Sequence, residues 1–219
     1  MDVRRQVAEV RRRIEAAGGG DRVRLVAVTK GFGADAVDAA LRAGVTDVGE
    51  SYAQELVAKA ADVREPGATW HFVGRLQTNK VRAIAGLVDL WESVDRATLG
   101  DALAKRVPGA RVLLQVNISN EPQKGGCLPA EAATLVKRFR QGGLVVDGLM
   151  AVGASGPPEA ARSGFRRLNR LADDLGLVER SIGMSDDLEV AVEEGSTMVR
   201  VGRAIFGERP RPGGDVPSH

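Results

Sequence analysis

Eight short apolar runs, each separated from the next by a helix-like segment, leave this chain few folds to choose from. They read "VRLVAVTK" (23–30), "DVGES" (47–51), "TWHFVG" (69–74), "VDLWESV" (88–94), "RVLLQVNI" (111–118), "LVVDGLMAV" (144–152), "RSIGM" (180–184) and "MVRVG" (198–202). Between them lie stretches such as "ADAVDAALRAG" and "PPEAARSGFRRLNRLADDLG", with apolar residues at helical spacing. Strands that are apolar on both faces and joined by crossover helices are parallel strands covered on both sides. Eight such units without a long insertion favour closure into a barrel over an open doubly wound sheet. The expectation is therefore an α/β protein, a single (β/α)8 TIM barrel over residues 1–209, with 210–219 ("PRPGGDVPSH") a frayed tail.

One element precedes the barrel. In "MDVRRQVAEVRRRIEAAGGG", Val3, Val7, Val10, Ile14 and Ala17 recur at helical spacing. Asp2, Glu9 and Glu15 are acids that a transit peptide avoids, so this reads as an extra N-terminal helix docked on the barrel.

Composition excludes several classes. The net charge of +2 is scattered and no basic stripe carries interleaved aromatics, which argues against nucleic acid. No apolar run reaches the length of about 18 residues that a membrane span needs. Two histidines and one cysteine are too few for a metal enzyme. Cys127 has no partner for an internal disulfide, which fits a reducing compartment, and it reads as a plain loop thiol. We expect a cytoplasmic monomer, since no apolar helix stripe is left over.

In a parallel barrel the functional groups gather at the carboxyl ends of the strands, with phosphate bound beyond the seventh and eighth. Those ends carry Lys30, Glu50 with Ser51, His71, Asn117, Met150, Ser185, and Arg200 with Gly202. Ser185 reads as a helix N-cap, and Gly202–Arg203 as a turn whose backbone can approach an anion. Lysine is scarce, with 25 of the 31 basic residues being arginine, so each lysine is informative. Alternation puts Val26, Val28 and Lys30 on one face of the first strand, beside Arg200 on the eighth. A free lysine is neutral in only about 4 of 10,000 molecules at pH 7. Burial and a neighbouring guanidinium raise that fraction. A neutral amine facing a phosphate cradle is equipped to form a Schiff base with a phosphorylated aldehyde. The competing reading of Lys30 is a side chain that snorkels from the barrel's edge.

The blocks "VAVTK", "GESYAQE", "WHFVGRLQTNK", "VNISNEPQKGG", "GLMAV" and "SIGMSDDLEVAVEEGSTMVRVGRAIFG" resemble the pyridoxal 5′-phosphate homeostasis proteins, which look like the barrel domain of alanine racemase standing alone. The resemblance spans roughly residues 3–209. It implies that Lys30 holds pyridoxal 5′-phosphate as a Schiff base, that Ser185, Gly202 and Arg203 contact the phosphate, and that Arg200 faces the pyridine nitrogen. Asn117, His71, Met150 and Ser51 match pocket positions, Ser51 replacing the family's usual asparagine. The run Lys30-Gly31-Phe32-Gly33 lacks the second lysine and the proline common after the first, Arg75 stands where a smaller residue is common, and Gly126–Cys127 depart slightly from the usual loop.

The implied function is reversible binding and carriage of the cofactor, with apo-enzymes that use it as partners and without efficient catalysis. An arginine at the ring nitrogen leaves that nitrogen unprotonated and the ring a weak electron sink. The runner-up is a pyridoxal-dependent amino-acid racemase, which would need a second acid/base that the family's two-domain racemases draw from a partner's additional domain. A class I aldolase or phosphosugar enzyme is a third reading, with Glu50 the acid nearest Lys30. Lys80 and Lys124 are candidate relay amines, against the plainer reading of solvated lysines.

Overall fold

The computed structural model describes residues 2–209 and shows a closed barrel of eight parallel strands in chain order, the eighth pairing with the first. The strands are β1 (Arg24–Val28), β2 (Asp47–Glu50), β3 (Thr69–Phe72), β4 (Leu90–Val94), β5 (Arg111–Gln115), β6 (Val145–Met150), β7 (Glu179–Ser181) and β8 (Met198–Val201). Helix α1 (Val3–Ala16) leads, and the crossovers are α2 (Ala34–Arg42), α3 (Ala53–Asp62), α4 (Val81–Ile84), α5 (Ala97–Arg106), α6 (Ala132–Gln141), α7 (Arg162–Asp174) and α8 (Leu188–Glu193). A last turn, α9 (Arg203–Phe206), follows β8. The closed barrel expected from the strand pattern is thus the observed fold, while the segment 210–219 lies outside the described residues.

Alternation along each strand sorts its side chains. Inward-facing Val26, Leu90, Leu113, Met150 and Met198 form a small apolar cluster inside the barrel. Outward-facing residues build the larger layer between sheet and helices, where Trp91, Phe139 and Phe165 are almost wholly buried. Helix α7 contributes Phe165, Leu168 and Ala172 to that layer, spaced to share one face.

Helix α1 docks as its periodicity predicts, burying Val7, Val10 and Ile14. They pack with Ala36 and Ala40 of α2, Leu188 and Val192 of α8, and Ile205 and Phe206 of α9. Burying each of these three α1 side chains favours docking by about 1.5–3 kcal/mol. The helix therefore covers the seam where β8 closes on β1. Cys127 belongs to the interior: it is buried, bridges to Val116, and burial pushes its thiol pKa up to about 12. Among the described residues, no helix is long and apolar enough to cross a membrane.

Candidate functional site

β1 ends at Val28, and the chain leaves the barrel through a turn carrying Lys30 and Gly31. Gly31 has a φ of +81°, and a Cβ there would lie 3.0 Å from Arg209 Cδ, so the turn needs glycine. Its N–H donates to Glu55 Oε2 at 2.8 Å. Beneath this turn Lys59 Nζ donates to the Thr29 carbonyl (2.7 Å) and to Glu50 Oε1 (2.6 Å), while Thr29 Oγ1 also donates to Glu50 Oε1. The loop that presents Lys30 thus rests on a buried ion pair.

Lys30 lines a cavity of about 480 Å³ at the carboxyl ends of the strands. Burial lowers its pKa, and the charges of Arg209 and Arg200 lower it further, opposed by Glu50 and Glu55. Register explains the arginine's place: Val26 of β1 pairs with Arg200 of β8. Arg200 is almost wholly buried, and its guanidinium donates to the Ser181 carbonyl (2.7 Å), Ser181 Oγ (2.5 Å) and the Ala151 carbonyl (2.8 Å).

The same cavity brings in Met150, Ser185, Gly202 and Arg203. The turns after β7 and β8 touch, because the Ala204 N–H donates to Ser185 Oγ at 3.3 Å and Arg203 pairs with Asp186. One detail differs from the sequence expectation. Ser185 is not an N-cap: α8 starts at Leu188 with Asp187 before it, and Asp187 Oδ1 accepts from the Met184 N–H, closing the turn around Ser185. Packing also asks for glycine at 202, since a Cβ there would lie 2.9 Å from the Val28 carbonyl oxygen. Arg13 of α1 reaches the first turn, donating to the Ser185 carbonyl (3.1 Å) while it pairs with Glu189.

Three expected pocket residues lie outside this cavity. His71 points inward but one level lower, fully buried between Asp47 and Glu92. Asn117 is past the end of β5 and braces its own loop, donating to the Glu121 carbonyl and accepting from Ser119. Gln115, two residues earlier and inward-facing, lines the cavity instead. Ser51 lines a neighbouring groove with Tyr52 and Lys80. Lys124 does line the cavity, but it is half-buried and held by Glu121 and the Gly153 carbonyl rather than solvated. Glu50 sits behind the barrel wall with Lys59, which removes the acid that the aldolase reading placed beside Lys30.

Lys59, Gln115 and Arg209 were not singled out by motif. The scarcity of lysine pointed to the first and strand alternation to the second; the approach of Arg209 to Gly31 depends on how the chain returns after α9 and leaves no local signal.

The closed parallel barrel is of the class of the alanine racemase N-terminal domain, whose family model matches residues 2–210. The fold is also that of an alanine racemase from Streptomyces lavendulae, at 23% identity and a TM-score of 0.72 over 96% of this chain and 58% of the racemase. A pyridoxal phosphate homeostasis protein of Pseudomonas aeruginosa is 40% identical over 95% of this chain and 94% of its own length. PipY of Synechococcus elongatus, solved with PLP bound, is 30% identical with a TM-score of 0.78 over 90% of this chain and 100% of PipY. The chain belongs to the family of pyridoxal phosphate homeostasis proteins.

Proposed function

We propose that this chain binds pyridoxal 5′-phosphate reversibly as a Schiff base on Lys30 and serves as a carrier or buffer of the cofactor, without efficient catalysis. The observation that carries the reading is the shared cavity: a lysine of lowered pKa, the touching turns of Ser185 and Gly202–Arg203, and a buried guanidinium on one surface. These residues fit a phosphorylated aromatic aldehyde. Lys30 supplies the amine, the two turns supply donors for the phosphate, and Arg200 supplies a donor for the ring nitrogen. That PipY was solved with PLP bound supports the choice of cofactor.

Bound there, the aldehyde supplies a carbonyl that condenses with amines and a ring that can accept electrons. The residues temper the second property. Arg200 keeps its proton at any ordinary pH, so the nitrogen it faces stays unprotonated and the ring withdraws electrons weakly. Among the described residues, neither tyrosine nor histidine lines the cavity, and Tyr52 faces the neighbouring groove. The tyrosine and histidine side chains that could serve as a second acid/base opposite Lys30 are thus not on the cavity wall, although Lys124 and Asp95 are. The names of the relatives, homeostasis proteins rather than enzymes, agree.

Titration of the purified protein with pyridoxal 5′-phosphate, followed by absorption, tests the reading. The protein turns yellow, Lys30→Ala stays colourless, and neither interconverts alanine enantiomers. Racemisation abolished by Lys30→Ala would instead establish an enzyme.

A further inference from the structure

Inside the barrel, below Arg200, charge alternates from group to group across five strands. Glu179 on β7 lies 3.0 Å from Arg24 on β1, and Arg24 lies 3.8 Å from Asp47 on β2. Asp47 Oδ1 is 2.9 Å from His71 Nε2 on β3, and His71 Nδ1 is 2.6 Å from Glu92 Oε1 on β4. Glu92 Oε2 accepts from Ser181 Oγ at 2.6 Å and lies 3.7 Å from Arg200 Nη1. Ser181 Oγ in turn accepts from Arg200.

His71, Glu92 and Ser181 are fully buried. The barrel interior also holds the apolar cluster of Val26, Leu90, Leu113, Met150 and Met198, and a buried ion that loses its partner there costs several kcal/mol. His71, Glu92 and Ser181 are nevertheless satisfied together in one protonation pattern. Both His71 nitrogens meet carboxylate oxygens, so the ring is an imidazolium donating twice. That cation keeps Glu92 ionised despite its burial. An ionised Glu92 accepts the Ser181 proton, which leaves the Ser181 lone pairs for Arg200. With Nη1 and Nη2 held by Ser181 and Ala151, Arg200 Nε has no acceptor among the described residues, and the side chain borders the cavity.

We propose that His71 and Glu92 are positioning residues: through Ser181 they fix the orientation and the counter-charge of Arg200, and so tune the electronics of the aromatic ligand that Arg200 meets. This rests on the reading of Lys30 as the cofactor's anchor. Neither residue touches the cavity; both act through the guanidinium. Glu92 faces His71, Ser181 and Arg200. Arg24, Asp47 and Glu179 lie beyond His71, and Asp187 is the other acid whose field reaches Arg200.

The test uses Glu92→Gln, Glu92→Asp and Ser181→Ala in the full chain, each titrated with pyridoxal 5′-phosphate. Removing the Glu92 charge leaves Arg200 without its nearest anion, which disfavours a further positive charge on the ligand. In Glu92→Gln the pH midpoint of the bound ligand's absorption change falls by about half a unit or more. Glu92→Asp keeps a midpoint near that of the parent, and Ser181→Ala, which retains the His71–Glu92 pair, shifts it downward by less. Circular dichroism of the cofactor-free proteins checks folding, and borohydride trapping checks that the adduct is on Lys30. If Glu92→Gln fails to fold, Ser181→Ala decides. Trapped adducts whose midpoints match the parent's would overturn the positioning role alone; a parent protein with no adduct at Lys30 would overturn the anchor and this role with it.

Discussion

Lys59 keeps its ammonium inside the protein, between Glu50 Oε1 and the Thr29 carbonyl, one residue from Lys30. Glu50 is fully buried, its pKa is raised by that burial, and its Oε2 has no hydrogen-bond partner among the described residues. Taking the cation away strands a buried carboxylate. Lys59→Met is expected to lose about 3–5 kcal/mol in urea denaturation, with part recovered in the Lys59→Met/Glu50→Gln double variant. An unchanged unfolding midpoint would refute this role for Lys59. At this scale, alternation made Arg200 legible in the sequence, because the face of a strand follows from parity alone, whereas Lys30 lies two residues past the end of β1 and was marked by the scarcity of lysine and its place after that strand. Parity does not give height along the barrel axis. His71 has the right face but lies too deep, held by Asp47 at the first residue of β2. Asn117 and Ser51 lie beyond their strands' ends, where loop conformation rather than pleat decides the direction.

The elements themselves were more legible than their ends. Each apolar run became a strand, and the pattern of Val7, Val10 and Ile14 placed α1 on the barrel. The reason is that burial on both faces and at helical spacing are properties of whole segments, which one misjudged residue does not erase. The start of α8 illustrates the opposite case. Ser185 and Asp187 are both good capping types, and only the folded turn, closed by Asp187 on the Met184 N–H, selects between them. The placement of α1 also carries a consequence that its periodicity could not reveal. By holding the Ser185 carbonyl through Arg13, this helix braces the turn that meets Gly202–Arg203 as well as sealing the seam.

Across the whole molecule the buried charges link the two ends of the barrel and give its stability a pH signature. The pKa of His71 rises from an ordinary 6.5 to about 9, its two carboxylate partners outweighing the effect of burial. A folded-state pKa above the unfolded one stabilises most below the unfolded value. The contribution, ~3 kcal/mol, is complete below about pH 6.5 and is lost as pH rises through about 9. Denaturation of the parent protein across that window should therefore show a decline that His71→Gln flattens; equal slopes would contradict the imidazolium. The central claim concerns Lys30, the amine at the barrel's mouth. Reducing the protein with borohydride in the presence of pyridoxal 5′-phosphate and mapping the peptides by mass tests it most directly. A single pyridoxyl adduct on Lys30 is the predicted result; an adduct on Lys80, Lys124 or another lysine with Lys30 unmodified would contradict it.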